Sequence, residues 1–169
     1  ARDLSSPELV GLFETRTKRN QLNPEQVIIE LTETAAMDDP HRGLNALNEL
    51  TAIGLKLSID DFGAGYSSLS YLKKLSASEI KLDRALLQDI ESSEGARMIV
   101  ETAIRMGQGL GYQVVAEGVE TEKSARLLNQ LGAEMLQGYW ICSPKPLHEL
   151  QAWLEVERKA PSLQGLHQV

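Results

Sequence analysis

Five short apolar runs punctuate the chain, and each closes on a charged or carboxamide side chain: VIIELTE (27–33), LKLSIDDFG (55–63), EIKLD (79–83), QVVAEG (113–118) and EMLQGY (134–139). They predict strands at 26–31, 55–60, 79–82, 113–117 and 134–138. Between them, apolar residues recur three and four apart, the spacing of one buried helix face. A first helix starts at Ser5-Ser6-Pro7-Glu8 and ends near Asn20, before Asn23-Pro24 breaks the chain. Asp38-Asp39-Pro40 opens a second, whose Leu44, Leu47, Leu50 and Ile53 share a face and which Gly54 stops. Ser67-Ser68 begins a short helix to about Leu75. A longer helical region over 84–111, broken near Ser92-Ser93, sets Met98, Ile99, Ala103, Met106 and Leu110 at helical spacing. Two more helices are predicted: 120–132, capped by Thr121 and stopped by Gly132, and 147–158, with Leu147, Leu150, Trp153 and Leu154 inward. The closing APSLQGLHQV reads as a frayed tail.

Strand–helix alternation at this spacing predicts an α/β fold with a parallel sheet and right-handed crossovers. In such sheets and barrels, side chains at the carboxyl ends of the strands converge on the face where ligands bind. Glu30, Asp60, Asp61, Lys81, Glu117 and Gln137 are therefore expected side by side. A complete β/α barrel takes about 250 residues and seldom fewer than roughly 200. The 169 residues here leave either a smaller open sheet or most of a barrel without its beginning.

Composition narrows the function classes. With 42% hydrophobic residues the chain can bury one core, and no internal repeat or low-complexity segment divides it. No run approaches the roughly 18 apolar residues of a membrane span. Cys142 is the sole cysteine, so no intrachain disulfide can form, and a cytoplasmic location is expected. A net charge of −7 argues against a nucleic-acid polymer as partner. An anionic small molecule would need cations beside the acids.

Asp60-Asp61 is the sharpest local signal. Adjacent carboxylates repel unless positive charge lies between them, and a pair of hard divalent cations is one answer. A helix cap or Asx-turn before Gly63 is the alternative. Asp-Phe-Gly also occurs in kinases, but no glycine-rich phosphate loop or His-Arg-Asp accompanies it. Glu30 and Glu33 end the first strand; one could bind metal while the other accepts backbone N–H bonds. Lys81, between Ile80 and Leu82, must find an anion, which is either a site ligand or an ion pair with Asp83 or Glu117. Glu117 and Gln137 each precede a glycine that lets the chain turn away. His41, His148 and His167 lie away from every strand end and receive no role; Trp140 and Trp153 read as packing residues.

In this order and spacing, E-L-T-E, D-D-F-G-A-G-Y-S-S-L, I-K-L-D-R, V-V-A-E-G-V-E-T and Q-G-Y closely resemble the EAL-domain family of bacterial cyclic di-GMP phosphodiesterases, over residues 1–154. The resemblance implies a modified TIM-like β/α barrel with two divalent cations, Mg2+ or Mn2+, that hydrolyses cyclic di-GMP to linear pGpG. By position, it implies Glu30 as a ligand of the first ion, Asp60 as the shared carboxylate, and Asp61 and Glu117 as ligands of the second. It makes Lys81 the catalytic contact to the nucleophilic water, Gln137 a substrate-side rim residue, Glu33 the anchor of the loop 62–69, and Asp83 a support for Lys81.

Ala64, Ala85-Leu86 and the Trp140–Ser143 stretch depart from the family pattern as packing variants. Ala1-Arg2-Asp3-Leu4 resembles the stretch directly after the family's Asn-x-Ser motif, so the resemblance implies a barrel lacking its first strands and about five parallel strands. The expected organisation is a partial EAL domain over 1–158 and a tail over 159–169. This piece is expected to be incomplete for catalysis, with a homodimer formed through its open edges. A non-catalytic cyclic di-GMP-binding regulatory module is the alternative.

Overall fold

The computed structural model describes residues 8–37, 40–64 and 69–157. Strands β1 (Ile28–Thr32), β2 (Lys56–Phe62), β3 (Glu79–Leu82), β4 (Gln113–Ala116) and β5 (Met135–Leu136) form one parallel sheet in sequence order. Helix α1 (Leu9–Arg19) precedes β1. The crossovers run through α2 (Glu33–Met37) and α3 (Pro40–Ala52), then α4 (Leu69–Leu72), then α5 (Arg84–Leu87) and α6 (Glu94–Gly109), then α7 (Glu122–Leu131). Helix α8 (Leu147–Glu157) follows β5. Strictly sequential order decides the architecture. Right-handed crossovers between successive neighbours put every helix on one side, as around a β/α barrel. A doubly wound sheet would instead reverse at a switch point.

Parity along the strands separates two faces. Leu31, Leu57, Ile59, Ile80, Leu82, Val114 and Ala116 pack with Leu47, Leu72, Val100, Ile104, Ala125 and Leu128 in a single buried cluster. The alternating residues, Glu30, Ser58, Asp60, Glu79, Lys81 and Val115, belong to the opposite face. One feature breaks the alternation. The β2–β3 register runs Ile59↔Ile80 and then Phe62↔Leu82, so a bulge falls at Asp60-Asp61. The extra residue lets Ile59 and Phe62 both join the helix-side core.

The helix boundaries follow local chemistry. Ser93 accepts from Ala96 N–H at the start of α6, and Thr121 accepts from Ser124 N–H at the start of α7. Gly132 ends α7 in the left-handed conformation, as its position in the sequence predicts. The expected starts at Ser5–Pro7, Asp38-Asp39 and Ser67-Ser68, and the tail, lie outside the described residues.

Several expectations are corrected. The predicted first strand moves to 28–32 behind a 3-10 turn at Pro24–Gln26, and β2 continues through Asp61 and Phe62. The predicted strand at 134–138 shrinks to Met135–Leu136. Residues 33–37 form a helix the apolar pattern did not mark. On α6 the buried positions are Val100, Ile104 and Gly107, while Met98 and Ile99 are 64% and 57% exposed. Gly107 explains the rotation: a Cβ there would stand 2.8 Å from Val114 Cγ2, so the helix meets the sheet at that residue. No residue of α8 is buried, and Leu147 and Leu154 are exposed. Amphipathic spacing predicts a face but not a partner for it.

Candidate active site

Lys81 organises the polar face. Its neighbours Ile80 and Leu82 are fully buried on the helix side, which turns the lysine to the other. The side chain is only 6% exposed, and its Nζ donates to Glu117 Oε1 at 2.5 Å and to Glu30 Oε1 at 2.9 Å. Asp60 Oδ1 lies 3.5 Å away. These acids come from β1, from the bulge in β2 and from the turn after β4. Burial alone would lower the ammonium's pKa, but hydrogen bonds to Glu117 and Glu30, with the attraction of Glu117 and Asp60, outweigh it and hold the pKa above its usual value. Glu117 is shifted upward by burial, which Lys81 opposes and the charges of Asp60 and Glu30 reinforce.

The bulge gives Asp60 and Asp61 their positions. Asp61 has φ +56°, a left-handed conformation that aspartate tolerates better than most residues. Its carboxyl is pushed up first by burial, then by Asp60 and Asp83, with Lys81 opposing. Glu33, nearly fully buried at the start of α2, accepts from Gly63 N–H at 3.1 Å and so ties the end of β1 to the turn after β2.

One residue, Asp83, sits differently from the sequence-based expectation. Asp83, expected beside Lys81, caps α5 by accepting from Ala85 N–H at 2.7 Å. Strand β3 ends at Leu82, and the turn into the helix claims that carboxylate. Gln137 stands one residue past β5 with an exposed side chain, and its backbone bridges Ala116 O and Val119 N–H. It borders the Glu117 turn without touching the Lys81 cluster through any hydrogen bond among the described residues.

Sequence reading missed two polar pairs. Ser58 Oγ donates to Glu79 Oε1 at 2.7 Å, both residues buried. Arg84 and Glu120 pair at 2.9 Å across the turns after β3 and β4. Glu79 was legible, since it shares strand parity with Lys81. Nothing local links Arg84 to Glu120.

Residues 1–144 match the family model described as EAL domain. The chain belongs to the EAL domain family. It is 43% identical over 144 residues to the bifunctional diguanylate cyclase/cyclic di-GMP phosphodiesterase MucR of Pseudomonas aeruginosa, covering 85% of this chain and 21% of that protein. The solved PaMucR phosphodiesterase–cyclic di-GMP complex superimposes with a TM-score of 0.83 at 40% identity, covering 88% of this chain and 60% of that one. A Klebsiella pneumoniae manganese–cyclic di-GMP complex gives 0.75 at 39% identity, covering 81% and 35%. The chain thus spans about a fifth of the length of the curated relatives it matches.

A metal can be tested against this EAL face. The donors are hard carboxylate oxygens, four acids (Glu30, Asp60, Asp61 and Glu117) to one lysine, which suits Mg2+ or Mn2+. Asp60 Oδ1 is buried without a hydrogen-bond partner, a free lone pair in a place where burial makes that costly. As the side chains stand, Glu30, Asp60 and Glu117 close on Lys81, and among the described residues no three acidic, histidine or cysteine side chains are grouped to hold an ion. The donor chemistry fits, and Lys81 supplies the positive charge that gathers it. No helix among the described residues is long and apolar enough to cross a membrane.

Proposed function

We propose that the protein carrying this EAL segment hydrolyses one phosphodiester bond of cyclic di-GMP, leaving linear pGpG. One observation carries the reading: Glu30, Asp60 and Glu117 converge on the single ammonium of Lys81. Convergence from three separate places is what a reaction centre needs and what a scattered set of surface charges does not give.

In this reading Glu30 and Asp60 would hold a first divalent cation, and Asp60, Asp61 and Glu117 would hold a second. Such ions, Mg2+ or Mn2+, lower the pKa of water and offset charge on phosphoryl oxygens when bound. Lys81 donates a hydrogen bond to the attacking water and restrains repulsion among the acids around it. The water gives up a proton as its oxygen bonds to phosphorus, the opposite P–O ester bond breaks, and the departing sugar oxygen gains a proton. Gln137 borders the substrate at the rim, and Glu33 holds the turn at Gly63. Phosphodiester hydrolysis asks for positioning and charge stabilisation more than covalent help, which such a preorganised face supplies.

The test is incubation of the full-length protein with cyclic di-GMP and Mg2+ or Mn2+, with chromatography for pGpG. Release of pGpG that a chelator abolishes supports the reading. Tight binding without pGpG supports a regulatory binding module instead, a reading that the retained set of Glu30, Asp60, Asp61, Lys81 and Glu117 speaks against. Neither binding nor turnover sinks both. Pairing of two copies along the β1 edge, which has one strand neighbour among the described residues, belongs to the same reading and is tested by sedimentation.

A further inference from the structure

Beside Glu30 lies a polar row, Ser58, Glu79 and Gln113, that the proposed reaction does not use. Strand register sets Glu30, Ser58, Glu79 and Gln113 side by side across β1 to β4. Ser58 is fully buried and Glu79 is 7% exposed, and the serine hydroxyl donates to the glutamate at 2.7 Å. A carboxylate this buried is rare unless paired. An apolar pair of similar volume would cost less to bury, so stability alone does not explain this one.

Its place in the sheet does. Ser58 and Glu79 are cross-strand partners, the next pair is Ile59↔Ile80, and the register then slips at Asp60-Asp61. Were the bulge to fall one residue earlier, Asp60 would turn to the helix side; one residue later, Asp61 would. Resting on the phosphodiesterase reading for its functional part, we propose that Ser58 and Glu79 are positioning residues. Their hydrogen bond locks β2 to β3 two residues before Asp60 and Lys81, fixes where the bulge falls, and thereby sets the spacing of the Asp60 carboxylate from the Lys81 ammonium.

The experiment uses the full-length protein and three variants: Ser58→Ala, Glu79→Gln, and the double Ser58→Ala/Glu79→Leu, which replaces both partners by apolar groups and leaves no buried group unpaired. Steady-state kinetics of pGpG release, urea stability and a crystal structure are obtained for each. A displacement of about 1 Å at reacting groups costs up to about 100-fold in rate. Ser58→Ala and the double variant should therefore lose at least about tenfold in kcat with KM held within about twofold, and Glu79→Gln, which keeps an acceptor for Ser58, should recover most of that loss. The double variant should be as stable as the wild type and still slow, which a merely structural role would not produce. A double variant as fast as the wild type overturns the proposal. So does a structure in which the bulge stays at Asp60-Asp61 and the Asp60–Lys81 spacing holds within about 0.5 Å. If the wild type makes no pGpG, the phosphodiesterase reading fails, and the crystallographic comparison still decides this one.

Discussion

Replacing Lys81 with methionine keeps most of the apolar stem and removes the charge that the acids share. The three partners do not weigh equally. The Glu117 side chain is 18% exposed and bonded at 2.5 Å, so losing Lys81 leaves a largely buried, uncompensated carboxylate, at about 3 kcal/mol. Glu30 is 54% exposed and water replaces its bond, which limits that loss to about 1 kcal/mol. Asp60 at 3.5 Å makes no hydrogen bond to Lys81 and adds little directly. The sum is about 4 kcal/mol, and for a urea dependence of about 2 kcal/mol per molar the midpoint falls by about 2 M. Fluorescence of Trp140, which packs against the core, reports the transition.

The deficit should also depend on pH. Burial already raises Glu117 above the ordinary 4.5, and without Lys81 it rises further. A carboxyl whose folded pKa is raised stabilises fully below 4.5, and that contribution is lost as pH rises through the folded value. Lys81→Met should therefore lie nearest the wild type in acid and fall away towards neutrality, with Glu117→Gln in the same chain recovering most of the loss. A midpoint shift under about 0.5 M, or a deficit indifferent to Glu117, would refute Lys81 as the shared counter-charge.

Other outcomes rest on single contacts. Gly138→Ala would place a Cβ 2.2 Å from Val119 O and 2.3 Å from its N, so the variant should lose at least about 3 kcal/mol or fail to accumulate folded, as measured by urea melts and soluble yield. Glu33→Ala strips Gly63 N–H of its acceptor; amide exchange at Gly63 should accelerate, and stability should drop by about 1–3 kcal/mol. Glu91 is held below the ordinary carboxylate value of 4.5 by hydrogen bonds from Thr121 and Ser124, with Lys123 assisting. Its contribution is present above 4.5 and lost as pH falls through the depressed value, so Glu91→Gln should flatten the acid limb of a pH–stability curve.

Whatever short-range chemistry controls was written along the chain. Alternating strand and helix patterns, the Thr121 cap and the Gly132 stop all act within a few residues, and each is legible without a fold. So was the suspicion that Glu30, Asp60, Lys81 and Glu117 share a place, because parallel strands bring their carboxyl ends together. Tertiary structure decided what depends on a neighbour distant in sequence. Gly107 against Val114, rather than apolar spacing, chose the buried face of α6 and left Met98 and Ile99 outside. Pairing with β3 placed a bulge where the sequence showed only two adjacent aspartates. Asp83 went to a helix N–H because β3 ended one residue earlier than the ion-pair expectation needed, and Ser58 found Glu79 because the register set them abreast. Patterns along a chain state which groups need partners; only packing assigns them, since a hydrogen bond or an ion pair is settled by distances that the sequence does not contain.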